Sequence, residues 1–274
     1  MNGNRKIADN KEEKSAPVDK RDYWDGRAQE FSQHAASTGY PEAFIELMQP
    51  HRDWTVLDMA CGGGTIAIPL AKKVKFITAV DFSKQMLHTV EWRCRIGGIS
   101  NVKAIEGRWE DDWENLGIGI HDIAIASRSL ISDDAKTLIT KLNNIARQAV
   151  YISTVVGTGP FDKQLFESTG REFKIGPDYI YYYNLLYEMG IMANVSFIFE
   201  QHSNQWKSQE EALDGQRWMF RGMTAEEEDK VRAYLGQHLV RVADDWRLPY
   251  PRQCCWAVMW WAKDKEARLW QNKN

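Results

Sequence analysis

The run VLDMACGGGTIAIPLA, residues 56–71, joins one acid, Asp58, to three consecutive glycines, Gly62, Gly63 and Gly64. An apolar strand that enters a glycine loop and leaves as a helix brings main-chain N–H groups close to a bound group. Gly62-x-Gly64-x-x-Ala67 fits the G-x-G-x-x-A dinucleotide fingerprint, and Asp81 lies near the distance of roughly 20 residues expected of a ribose-binding acid. The motif is not a phosphate-binding P-loop, because GK[ST] is missing. A dinucleotide and another nucleoside-bearing cofactor both remain at this point. A β-branched residue at Gly62 or Gly64 is expected to exclude either ligand sterically while the sheet still forms.

Three features favour S-adenosylmethionine over NAD. Asp58, four residues before Gly62, would repel a pyrophosphate but hold a cationic amino group. The loop follows a helical preamble of about 50 residues, whereas dinucleotide domains often open with it. The segment EGRWEDDW, after the third strand-like run, offers a candidate adenine edge.

The elements that must position these residues follow from periodicity. Apolar runs at TVLDMA, FITAVD, NVKAIEG, DIAIAS and AVYISTVV alternate with helical segments, which predicts a parallel sheet covered on both faces. Ser83 caps a helix ended by Gly97 and Gly98, Asp133 or Asp134 caps AKTLITKLNNIARQ, and Pro41 opens PEAFIELMQ. The segment DYWDGRAQEFSQHAAS places Tyr23, Trp24, Ala28, Phe31 and Ala35 on one helix face. After Val156 the rhythm changes, and two inserts, about 163–190 and 205–250, are expected to be helical. Residues 1–20 and 266–274 are expected to be tails around one domain, 21–265.

With 274 residues, 43% of them hydrophobic, the chain can bury one full core. A net charge of −3 offers no field for a polyanion, so a nucleic-acid partner is disfavoured. No apolar stretch reaches the roughly 20 residues of a membrane helix, and the N-terminus is too polar for a signal peptide. A cytoplasmic protein with no membrane partner is expected. The four cysteines show no zinc spacing, so no metal site is expected, and they read as reduced thiols.

On these residues the chain resembles the class I S-adenosylmethionine-dependent methyltransferases, over residues 22–160 and more loosely to the C-terminus. The family's acid followed by G-C-G-x-G stands here as Asp58-Met59-Ala60-Cys61-Gly62-Gly63-Gly64. Ala60 replaces the first glycine, which permits close approach if its φ is negative. The resemblance implies a doubly wound α/β fold with a seven-stranded sheet, mostly parallel with an antiparallel last strand, helices on both faces and an N-terminal helical lid over residues 22–50. It implies that Ala60, Cys61, Gly62 and Gly64 line the cofactor, that Asp81 accepts both ribose hydroxyls, and that Phe82 and Met86 flank the adenine. Arg108 occupies the position of the family's adenine-binding acid. Either Glu110 or Asp111 substitutes, or the Trp109 ring and main chain hold the base; a core role for Trp109 is the alternative. YWDGRAQEF is similar to the family's Y-W-x-x-R-A-x-x-F preamble, implying that Tyr23, Trp24, Arg27 and Phe31 line the lid, with Arg27 at the methionine carboxylate. The product would be S-adenosylhomocysteine.

The acceptor approaches at the end of the fourth strand, where HDIAIASRSLIS stands in place of the [DN]-P-P-[YF] of amide and nucleobase-amine methyltransferases. Ser127 lies at the cofactor and Arg128 near the reacting centre, where a guanidinium binds a carboxylate or phosphate bidentately. A salt bridge from Arg128 to Glu110 or Asp111 is the competing role. Tyr179, Tyr183 and Tyr187 share one helix face, with Tyr182 within reach, and either wall an acceptor cavity or pack as core. His34 and Tyr183 are candidates for proton transfer. The expected activity is methyl transfer to a small molecule with an acidic group. A non-catalytic cofactor- or partner-binding protein and an NAD-linked oxidoreductase are the alternatives; the oligomeric state is not legible.

Overall fold

The computed structural model describes Asp25 and residues 38–130, 134–173, 176–202, 205–220 and 222–263. Helix α1 (Tyr40–Met48) takes Pro41 in its first turn and buries Tyr40, Phe44, Ile45 and Met48 against the sheet. This part of the expected lid is therefore core rather than cover, because its apolar face has no other place out of water. Tyr23, Trp24, Arg27, Phe31, His34 and both expected tails lie outside the described residues.

Strand β1 (Thr55–Met59), helix α2 (Ala67–Ala71), β2 (Phe76–Asp81), α3 (Lys84–Gly97), β3 (Val102–Glu106), β4 (His121–Ser127), α4 (Ala135–Ile145) and β5 (Ala146–Val156) follow the alternation of the sequence. The Ser83 hydroxyl accepts from Met86 N and starts α3; Gly98, at φ 62°, ends it in the left-handed cap that glycine adopts without a Cβ clash. Asp134 is the acid that caps α4, accepting from Thr137 N. Strand β6 (Asn194–His202) and β9 (Arg252–Ala262) complete one sheet of order β3-β2-β1-β4-β5-β9-β6, in which β9 runs antiparallel to both neighbours. The expected seven-stranded, mostly parallel α/β sheet is present.

Strand order reverses between β1 and β4, the switch point at which open α/β sheets bind ligands beyond the carboxyl ends of their strands. Alternation then sorts the side chains. Val56 and Ile77 join the core beneath α1, α2 and α3, whereas Leu57, Val80 and Ala126 join the core beneath α4 on the opposite face. Asp58, Asp81, Ser127 and Ser153 are in phase with the first set, so all four point to the α1 face of the sheet.

Between β5 and β6 lie α5 (Lys163–Ser168) and α6 (Tyr179–Glu188). Between β6 and β9 lie α7 (Gln209–Asp214), α8 (Ala225–His238) and a hairpin, β7 (Val240–Val242) with β8 (Asp245–Arg247), which the sequence pattern did not reveal. Leu165 of α5, Leu213 of α7, Val231 and Leu235 of α8, Trp206 and Leu248 close a third apolar core of their own. Both inserts leave the sheet at the carboxyl edge of its parallel strands, the edge that carries Asp58 and Asp81.

Candidate active site

The glycine loop is tied to the end of β2. Cys61 N donates to Val80 O at 2.9 Å, Gly62 N donates to Asp81 Oδ2 at 2.8 Å, and Ser83 N donates to Asp81 Oδ1 at 2.9 Å. Burial pushes the Asp81 carboxyl up while the backbone amides of Ser83, Gly62 and Phe82 hold it down. Ser83 Oγ also donates to Asp25, which places that acid at the end of β2.

Asp58 is 1% exposed, and its Oδ2 has no hydrogen-bond partner. Burial, with Asp81 nearby adding repulsion, pushes its carboxyl up to about 7. A buried acid with one unpartnered oxygen and a second acid beside it accommodates a cation and rejects a pyrophosphate. The methionine ammonium of S-adenosylmethionine fits this position. In the cofactor-free protein the sign is unfavourable: as pH rises from the ordinary carboxylate range through 7, ionising the buried group costs stability. A bound ammonium reverses the preference. Cofactor affinity is therefore expected to rise severalfold from pH 6 to 8 with proton release on binding, and Asp58→Asn to flatten that dependence. Calorimetry in buffers of different ionisation enthalpy measures it; pH-independent binding without proton release would contradict the assignment.

Two expectations for the loop need correction. Ala60 has φ 56°, not a negative value, so a Cβ sits in the left-handed region that the family's glycine occupies freely. Ala60→Gly should relieve this strain and, after the added freedom of the unfolded chain is subtracted, stabilise the protein by about 0.5–1 kcal/mol. Chemical denaturation checks this, and a lower midpoint in the variant would contradict it. At Gly64 an added Cβ would lie 2.8 Å from Ile68 Cγ1 and 3.3 Å from Val90 Cγ2, so a valine there would strike helices α2 and α3 rather than the ligand. Only Gly62 fits the original expectation: its added Cβ meets nothing nearer than Met86 Sδ at 3.9 Å, though its φ of 55° adds backbone strain. The Cys61 side chain turns into the core, which leaves its main chain for the loop.

Around the expected adenine position Phe82 is half-buried, and the Arg108 guanidinium lies 5.1 Å from its ring centroid. Asp111 Oδ2 accepts from Arg108 N at 2.7 Å, whereas Glu110 is exposed. Lys141 fastens the segment from below, donating to Trp109 O and Asp111 O. The Trp109 ring packs on Trp113, 5.9 Å between centroids, and borders the α4 core.

At the end of β4 the structure gathers residues that local sequence patterns did not connect. Tyr40 is fully buried; its hydroxyl lies 2.8 Å from Ser127 Oγ and 2.6 Å from Ser153 Oγ. Burial pushes this phenol up, which makes it a scaffold rather than a base. Arg128 has φ 57°, held by its N–H donating to Ser153 O and Oγ at 3.1 and 2.9 Å. Its guanidinium lies over Tyr40 at 4.3 Å and Trp256 at 5.1 Å. The Trp256 indole donates to Glu200 Oε2 at 2.6 Å, and Glu200 Oε1, in a side chain only 8% exposed, has no hydrogen-bond partner. The competing salt bridge from Arg128 to Glu110 or Asp111 is not formed.

The tyrosine helix lies elsewhere. Tyr182 is the inward residue, 2% exposed and donating to Leu130 O at 2.5 Å, whereas Tyr187 is 68% exposed. Tyr179 and Tyr183 border the core on the α4 face, opposite Asp58, Asp81 and Ser127, so Tyr183 is not brought to the transfer site. The reason is the handedness of the connection: α6 returns along the other face of the sheet, and four-residue spacing does not specify which face a helix meets.

The sheet order, the glycine loop and the acids at the ends of β1 and β2 define a class I methyltransferase architecture. Residues 56–148 match the model of a methyltransferase domain family, and this match, together with the fold, supports an S-adenosylmethionine-dependent methyltransferase. It is 29% identical over 245 residues to an uncharacterised protein of Haemophilus influenzae, covering 88% of this chain and 89% of that one. An uncharacterised RNA methyltransferase of Listeria innocua is 28% identical over 123 residues, 44% of this chain but only 27% of that protein. Among solved structures, a proposed methyltransferase of Bacillus halodurans superposes with a TM-score of 0.58 at 13% identity, covering 82% of this chain and 99% of that one. The YcgJ protein of Bacillus subtilis does so at 0.52 and 13%, covering 83% and 98%; both likenesses are of fold. Among the described residues no helix is long and apolar enough to cross a membrane.

Proposed function

We propose that the enzyme methylates a small-molecule acceptor that carries an anionic group. Arg128 carries this reading: it stands at the carboxyl end of β4, is held in a left-handed backbone conformation, and is stacked on two rings. Among the described residues no carboxylate lies within ion-pair distance of it. A guanidinium fixed in this way presents its N–H fork to an anion bidentately. The cofactor supplies the methyl electrophile. The protein's share is then to hold the acceptor in line and to keep water out, since displacement at a sulfonium methyl needs little covalent help. Asp58 would hold the methionine ammonium, Asp81 the ribose and the Arg108–Asp111 turn the adenine edge, while Tyr40 and Glu200 hold the platform beneath Arg128.

Some relatives are named RNA methyltransferases, but this chain matches only about a quarter of their length. The net charge of −3 supplies no basic groove for a polyanion and supports the small-molecule reading. Incubating the enzyme with methyl-labelled S-adenosylmethionine and separate small-molecule and RNA fractions of a cell extract tests the choice. Label is expected in small organic acids, and label confined to RNA would refute the proposal.

A further inference from the structure

Beyond β5, at the carboxyl edge of the sheet, a cavity of about 210 Å3 is lined by Val155, Gly157, Thr158, Phe161, Phe166 and Phe173, with Gly176 on its wall. Phe173 meets Phe161 and Phe166 edge-on, at centroid distances of 5.9 and 5.3 Å. Behind them Phe166 stacks on Phe220 at 5.4 Å, and Phe161 leans on Trp218 at 5.3 Å, so the walls are anchored in the third core. Thr158 is the single polar side chain among the lining residues. Apolar cavities of about 150 Å3 already take up benzene, and rings set at right angles favour edge-to-face contact with a flat guest. Val155 pairs with Trp256 across β5 and β9, and Trp256 carries Arg128 on its ring. The cavity and the guanidinium are therefore neighbours across one strand pair.

We propose that this cavity receives a flat, apolar ring system forming the body of the acceptor. The substrate class is then a small ring compound with an anionic substituent that reaches Arg128. The substituent rests on the proposed function above; the ring pocket does not.

Calorimetry on the full chain saturated with S-adenosylhomocysteine tests this, with 2-naphthoate and neutral 2-naphthylmethanol as probes. Gly176 lines the cavity, an added Cβ there meets nothing within 4 Å and the backbone is not left-handed, so Gly176→Leu adds bulk at the cavity wall without strain. Both probes are expected to bind the wild type and to lose at least tenfold in affinity in Gly176→Leu, with S-adenosylhomocysteine affinity unchanged. Phe173→Ala, which removes a wall and adds no bulk, is expected to weaken both probes about tenfold and decides the matter if Gly176→Leu folds poorly. Failure of both probes to bind the wild type, or wild-type affinity for them in these variants, would overturn the pocket. Arg128→Lys separates the two proposals: a loss for naphthoate alone supports the anion site, and no loss for either probe refutes it while leaving the ring pocket standing.

Discussion

Asp81→Ala is expected to weaken S-adenosylmethionine by about ten- to a hundredfold. The charge-assisted hydrogen bonds to the ribose hydroxyls would be lost, at a net cost of roughly 1.5–3 kcal/mol once water takes the carboxylate's place. The variant should also lose stability, because Gly62 N and Ser83 N, at 2.8 and 2.9 Å from this carboxylate, lose their acceptor. Each unsatisfied amide costs about 1–3 kcal/mol where water does not replace the oxygen. Calorimetry gives the affinity and thermal unfolding the stability. A folded variant with wild-type affinity would remove the ribose assignment, and an affinity loss matched by unfolding alone would make Asp81 a brace for the loop.

Arg128→Lys is expected to leave cofactor affinity unchanged and to lower acceptor turnover by about ten- to a hundredfold. The charge stays and the bidentate fork goes, at a cost near that of one hydrogen bond to a charged group, roughly 1.5–3 kcal/mol. Backbone strain is not a confounder, since lysine and arginine carry the same penalty at φ 57°. Steady-state kinetics on the labelled product and a cofactor titration together decide it. Weak cofactor binding or easy unfolding of the variant would assign the arginine to the cofactor pocket or the fold.

The parts of this site that could be read from the sequence are those set by local chemistry. Asp58, the glycine loop and Asp81 lie within one strand-loop-helix-strand unit, and the alternation of side chains along the paired β1 and β2 puts both acids on one face. Ser83 and Gly98 act through hydrogen bonds within a few residues, so their caps were visible too. Tyr40 was not: its contacts with Ser127 and Ser153 join positions 87 and 113 residues apart, and only its place before Pro41 marked it. Glu200 left a weak signal, an acid in phase with the buried Ile198 on a strand whose other face carries Val195, Phe197 and Phe199. The left-handed backbone of Ala60 and Arg128 had none, because neither residue type favours it and tertiary hydrogen bonds impose it. The shared core of the two inserts was equally hidden, since it forms between segments that each read as a separate amphipathic stretch.

Methyl transfer from S-adenosylmethionine to a small anionic acceptor held by Arg128 can be read in one comparison. Wild-type enzyme and Arg128→Lys, each shown to bind the cofactor equally, are given labelled S-adenosylmethionine and the small-molecule fraction of a cell extract, and the products are resolved by charge and mass. A labelled small organic anion is expected with the wild type, and at least a tenfold loss of it with the variant. A labelled product that is neutral or cationic, or one made equally by both enzymes, would contradict that reading.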